Sequence, residues 1–140
     1  MEFLLDDEKL KTLLYAADGQ ALDGLWLALG NLGKSIDFPE IVDNNFGLKK
    51  DIFFNILKKM MENKHLLLAE TTNDEILYDI SINDILARFK NAFPASEKAA
   101  ESIGAIDVGT WLVIYEADFC PFRPVWVWKK ENGEDYLDWA

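Results

Sequence analysis

The chain has one cysteine, Cys120, and one histidine, His65, in 140 residues. A lone cysteine closes no internal disulfide, so nothing in the thiol content points to an oxidising compartment. Zinc sites draw on several Cys and His ligands, and thiol-imidazole catalysis would have to use this one pair, which nothing in the sequence aligns. Cys120, in "FCPF", reads as a small buried hydrophobe and His65 as a residue at the edge of a strand. No metal and no cofactor is expected. Long apolar runs are also missing. No stretch approaches the roughly eighteen uninterrupted apolar residues of a membrane-spanning helix. The opening "MEFLLDDEKLK" has no basic region ahead of its acids and does not read as a signal peptide. These absences predict a cytoplasmic protein that does not engage a membrane. A phosphate loop is lacking too, since the glycines of "GLWLALGNLG" fall inside an amphipathic helix with no Lys-Ser or Lys-Thr after them.

Positive charge is scarce. Fourteen Lys and Arg stand against 25 Asp and Glu, a net charge of -11. Such a balance repels nucleic-acid phosphate and draws in positively charged partners, so a basic protein is the expected partner class and nucleic acid is not expected. Solubility alone is the competing explanation of the acidity.

What is present is ample apolar material: 50% of the residues are hydrophobic, enough for a single domain over residues 1–140 to bury its own core. Leu10, Leu13, Leu14 and Ala17 recur at helical spacing behind Asp6, Asp7 and Glu8, and Gly19 can end that helix. Leu22, Leu25, Trp26, Leu29 and Leu32 form a second stripe, stopped at Gly33. After a connection through Pro39, Asn44, Asn45 and Gly47, a helix is predicted at about 48–62 with Phe53, Ile56, Leu57, Met60 and Met61 inward. "HLLLAE" and "EILYDI" flank polar "TTND" as two short strands joined by a turn. Ser81 is placed to cap a further helix whose apolar face is Ile82, Ile85, Leu86, Phe89 and Phe93, with Pro94 as its stop. "ASEKAAESIG" reads as a short helix and "TWLVIY", 110–115, as a buried strand. The expected fold class is α+β: helices through the N-terminal two thirds, then a small antiparallel sheet ending in a β-hairpin.

The hairpin is signalled by Asn132-Gly133, which suits a two-residue type I′ turn. Counting outward from that turn sets Lys130 opposite Asp135, Trp128 opposite Leu137 and Trp126 opposite Trp139. One face then carries Trp126, Trp128, Leu137 and Trp139 and is expected to be core, while Val125, Val127, Lys129, Glu131, Glu134, Tyr136 and Asp138 face water. "FCPFRP" becomes the connection into the hairpin.

Chemistry is harder to find. Asp43, Asp51, Asp107, Glu116 and Asp118 could pair as in a carboxylate hydrolase, but a chain with 25 acids offers such pairs by chance. "DNNFG" lacks the alternating ligands and terminal glutamate of a calcium loop. Lys49, Lys50, Lys58, Lys59 and Lys64 give residues 48–64 a basic excess that imitates a winged helix, against the acidity of the rest.

The segments "KKDIFFNILKKMMENKHLLLAE", "ISINDILARFKNAFP" and "VWVWKKENGEDYLDWA" resemble, from about residue 36 onward, a small family of uncharacterised bacterial proteins. Its members are found near genes for large secreted exoproteins of the contact-dependent inhibition kind. The resemblance implies an immunity role, in which a small soluble protein neutralises a toxin domain inside the cell that makes it. The expectation is therefore a non-catalytic binding protein, with an adaptor or subunit of a larger complex, or a carboxylate hydrolase, as alternatives. A surface for a basic toxin domain should combine exposed carboxylates with rigid aromatic anchors. The residues expected to form it are Glu131, Glu134, Asp135, Tyr136 and Asp138 on the hairpin, with Glu116 and Asp118 beside it.

Overall fold

A computed structural model describes residues 21–26, 29, 46–114 and 119–139. The predicted first helix, the stop at Gly33, and Glu116 and Asp118 lie outside the described residues. Residues 22–26 are helical, and Leu22, Leu25, Trp26 and Leu29 are all buried, as their spacing requires. Helix α1 (Phe46–Glu62) follows. It buries Ile52 and Phe54 beside the five expected residues, so its apolar side is wider than a single stripe.

The C-terminus of α1 closes by the two bonds of a Schellman motif. His65 N–H donates to Met60 O at 2.9 Å and Lys64 N–H to Met61 O at 3.1 Å. Lys64 occupies the left-handed position, φ 62°, that glycine usually fills. The chain then enters strand β1 (Leu66–Glu70). Its expected partner "EILYDI" forms a single bridge, Ala69 to Ile76, and no strand. The turn between them is held by Glu70 N–H donating to Glu75 O and by the side-chain amide of Asn73 reaching Glu70 and Glu75.

Helix α2 (Ile82–Ala92) starts where its cap predicts: Ser81 Oγ accepts from Asp84 N–H at 3.1 Å. Ile85, Leu86 and Phe89 face inward and the chain leaves the helix at Phe93, ahead of Pro94. Helix α3 (Glu97–Ser102) is capped in the same way by Ser96.

"TWLVIY" is not a strand. The structure places a short helix α4 (Val108–Trp111) across its start, with Asp107 Oδ1 accepting from Thr110 N–H at 2.7 Å. Val108, Trp111 and Leu112 are buried, at i, i+3 and i+4. This arrangement satisfies the same apolar residues in helical form, a case of packing overriding β-propensity.

Strand β2 (Phe122–Lys129) pairs antiparallel with β1 on one side and with β3 (Asp135–Trp139) on the other, giving a three-stranded sheet in the order β1-β2-β3. The strand therefore begins inside "FCPFRP", which is not a connection as expected. Pro124 is tolerated because Val127 N–H donates to His65 O, and alternation then turns Pro124 away from β1 and toward the end of β3, past its last pair, Val125 with Trp139.

The core lies where these elements converge. Trp26, Phe53, Phe54, Phe89, Phe93 and Trp111 form a continuous aromatic cluster whose neighbouring rings sit 5.2–6.3 Å apart, and Phe122 joins it from β2 at 5.4 Å from Phe89. No polar or charged side chain is buried among the described residues. The lysines at the start of α1 are folded over this cluster. Lys49 Nζ stands 4.2 Å from the Trp26 ring centre and Lys50 Nζ 5.3 Å from Phe93. The basic excess that imitates a winged helix is in part a cover for core aromatics.

Candidate binding surface

The hairpin exists, but its register is one residue away from the expected one. Lys129 pairs with Asp135, Trp128 with Tyr136, Val127 with Leu137, Trp126 with Asp138 and Val125 with Trp139. The turn explains the shift. Gly133 N–H donates to Lys130 O at 2.9 Å, Lys130 N–H to Glu134 O at 2.7 Å, and Gly133 alone in the loop has positive φ, 85°. This is a three-residue loop, a type I turn closed by a left-handed glycine, and not a type I′ turn. Asn132 contributes through its side chain, whose Oδ1 accepts from Glu134 N–H at 3.0 Å.

A one-residue shift sends every β3 side chain to the opposite face. Tyr136 and Asp138 now share the face of Trp126 and Trp128, while Leu137 and Trp139 share the face of Val125 and Val127. Trp139, expected in the core, is 40% exposed and lies under the Arg123 guanidinium, 5.2 Å from its ring centre. Val125 and Val127, expected to face water, are buried.

The candidate residues fall into three groups. Glu131, Glu134 and Asp135 are exposed together at the loop end of the hairpin. Tyr136, 51% exposed, and the half-buried Asp138 lie along β3, which is an edge of the sheet. Glu116 and Asp118 are outside the described residues. Asp135 is not a free carboxylate, because Lys129 Nζ pairs with it at 2.5 Å. Trp139 is the aromatic that the sequence reading missed as a surface residue; a three-residue turn was the signal that would have found it.

Of the carboxylates considered for catalysis, Asp107 caps a helix, Asp51 is exposed on α1, and Asp43, Glu116 and Asp118 lie outside the described residues. A cleft of about 350 Å³ is lined by Asp23, Trp26, Lys49, Glu97, Asp107 and Thr110. Two of its three carboxylates already hold helix α4: Asp107 caps it, and Glu97 Oε2 accepts from Val108 N–H at 2.8 Å. The main-chain N–H of Thr110, then its side chain, hold the Asp107 carboxyl below its ordinary range, and Lys49 adds to this against some burial. No group of three potential metal ligands occurs among the described residues.

Cys120 is buried, its thiol donates to Phe122 O at 3.1 Å, and burial pushes its pKa up to about 12. The native protein is therefore expected to resist iodoacetamide at pH 8 over hours and to react fully in denaturant. Labelling at the rate of a free cysteine in the native state would show an accessible thiolate. Because the folded thiol is the weaker acid, its contribution to stability is complete below the ordinary thiol value near 9 and declines as pH climbs toward about 12.

No helix among the described residues is long and apolar enough to cross a membrane. The fold is similar to that of a solved structure from Neisseria meningitidis, an "Uncharacterized Protein Conserved in Bacteria, COG3792". The TM-score is 0.64 at 19% sequence identity, over 92% of this chain and 86% of that one, a likeness of fold alone. A comparison with curated proteins finds no match. A family model described as "Protein of unknown function, DUF596" matches residues 61–140, from the end of α1 through β3 and more than half of the chain. The chain belongs to this family.

Proposed function

We propose that the protein is a non-catalytic binding partner of a basic protein domain, acting as an immunity protein that neutralises a toxin in the cytoplasm of the cell that makes it. The observation that carries this reading is the exposed edge strand β3. It presents Tyr136 near Glu131 and Glu134 toward the hairpin end, and Trp139 on the other face at the far end of the strand, in a chain with net charge -11. An aromatic anchor next to exposed carboxylates suits a cationic surface, and the net charge would speed encounter with it. An edge strand also leaves main-chain groups open to an added strand. The adaptor reading has one observation in its favour, the exposure of Ile103 and Ile106 in the turn after α3, 50% and 81%.

The test is capture from native lysate at low and then high salt, with identification of what stays bound. A basic domain released by salt is expected, and Tyr136→Ala with Glu134→Lys should weaken its binding by roughly thirtyfold or more. Retention that ignores both salt and the hairpin variants would sink the reading; sensitivity to Ile106→Asp in its place would favour an adaptor.

A further inference from the structure

A cleft of about 380 Å³ lies between the C-terminal turn of α1 and the loop-proximal end of the β2-β3 hairpin. It exists because β1 stops short. His65 O accepts from Val127 N–H at 2.9 Å, but one residue earlier the left-handed Lys64 leads the chain back into α1, while β2 runs on to Lys129. Strand alternation turns the main-chain N–H and C=O of Lys129 to the side that β1 leaves open. The walls are Asn63, Lys64, His65, Val127, Trp128 and Lys129, with Asp135 at the hairpin side.

In a chain of net charge -11, this cleft gathers two lysines and the sole histidine against one carboxylate. Lys129 is already answered by Asp135, whereas Lys64 has no carboxylate partner among the described residues. Lys64 also holds a position where glycine would be less strained, so the chain keeps an ammonium there at a cost to its backbone. Val127 and Trp128 stand on opposite faces of β2, and the half-buried Trp128 gives the cleft an apolar wall.

We infer that this cleft binds a small aromatic carboxylate, its ring against Trp128 and its carboxylate on the Lys64 ammonium. The volume is at the lower end of small-molecule sites, roughly 300–1,000 Å³, which limits the ligand to one or two rings. A cation is opposed by Lys64 and Lys129, and a bare inorganic anion leaves the apolar wall unused. The inference does not depend on the identity of a protein partner for the hairpin.

Titration of the isotope-labelled protein with benzoate, followed by NMR, tests it. Saturable shifts are expected at His65, at the Trp128 indole and at the Lys129 amide. The uncharged isostere benzamide and inorganic phosphate should each bind at least about tenfold more weakly, consistent with loss of a hydrogen bond to a charged group or of the apolar contact. Lys64→Gly should weaken benzoate about tenfold while raising the urea midpoint, because it removes the ammonium and relieves the left-handed strain together. Lys64→Arg should retain binding. The inference is overturned if benzoate gives no saturable shift, if benzamide or phosphate binds as well, or if Lys64→Gly stabilises the fold with benzoate affinity unchanged.

Discussion

Phe89→Ala is expected to destabilise the protein by about 3–5 kcal/mol, lowering the urea midpoint with little change in slope. Phe89 is fully buried on α2 and is the ring at which the layers meet. Phe54 of α1 lies 5.2 Å away, nearly perpendicular; Phe122 of β2 lies 5.4 Å away; and Phe93 and Trp111 lie 6.1 and 6.3 Å away. Removing the ring therefore opens a cavity bordered by α1, α4 and β2 at once, and rigid aromatic neighbours collapse poorly into such a space. Edge-to-face contacts are lost as well, each worth about 0.5–1.5 kcal/mol beyond the buried area. A loss below about 1 kcal/mol would mean that the helices and the sheet do not share this core.

The second large effect separates two tryptophans of the hairpin. Trp126→Ala should cost about 3–5 kcal/mol, because Trp126 is fully buried on the core face of β2, paired with Leu66 of β1. Trp139→Ala should cost about 1 kcal/mol or less, because that ring is 40% exposed and lies under the Arg123 guanidinium. A two-residue turn would put both rings on one buried face and make the two losses similar. Equal losses would thus restore the type I′ register, and a small loss at Trp126 would displace β2 from the centre of the sheet.

The position of Trp139 also bears on function. With Tyr136 it makes β3 an edge strand with an exposed aromatic on each face, and Asp135 and Asp138 interrupt the apolar pattern that would otherwise invite unspecific pairing. An edge guarded in this way resists unspecific strand pairing.

Much of this architecture could be read from residue order. Ser81 as a cap, Pro94 as a stop, the inward faces of α1 and α2, and the existence of the last hairpin follow from periods, capping chemistry and turn residues, all of which act within a few positions along the chain. Other features were decided only in the folded molecule. Asn-Gly serves a two-residue type I′ turn and a three-residue turn with a left-handed glycine, and the loop takes the second, with pairing of Lys129 and Asp135 next to it. "TWLVIY" has β-forming residues, but Asp107 and Glu97 fasten the N-terminus of α4 and the core accepts Val108, Trp111 and Leu112 at helical spacing. The clefts bring together residues far apart in sequence, Lys64 with Lys129 and Asp23 with Asp107. Local chemistry determined most of the helices and where they start, because caps and periods need only near neighbours; register, the strand at 122–124, the helical form of 108–111 and the placing of the candidate surfaces were left to tertiary structure, because each depends on which of two locally acceptable states packs against the rest of the chain.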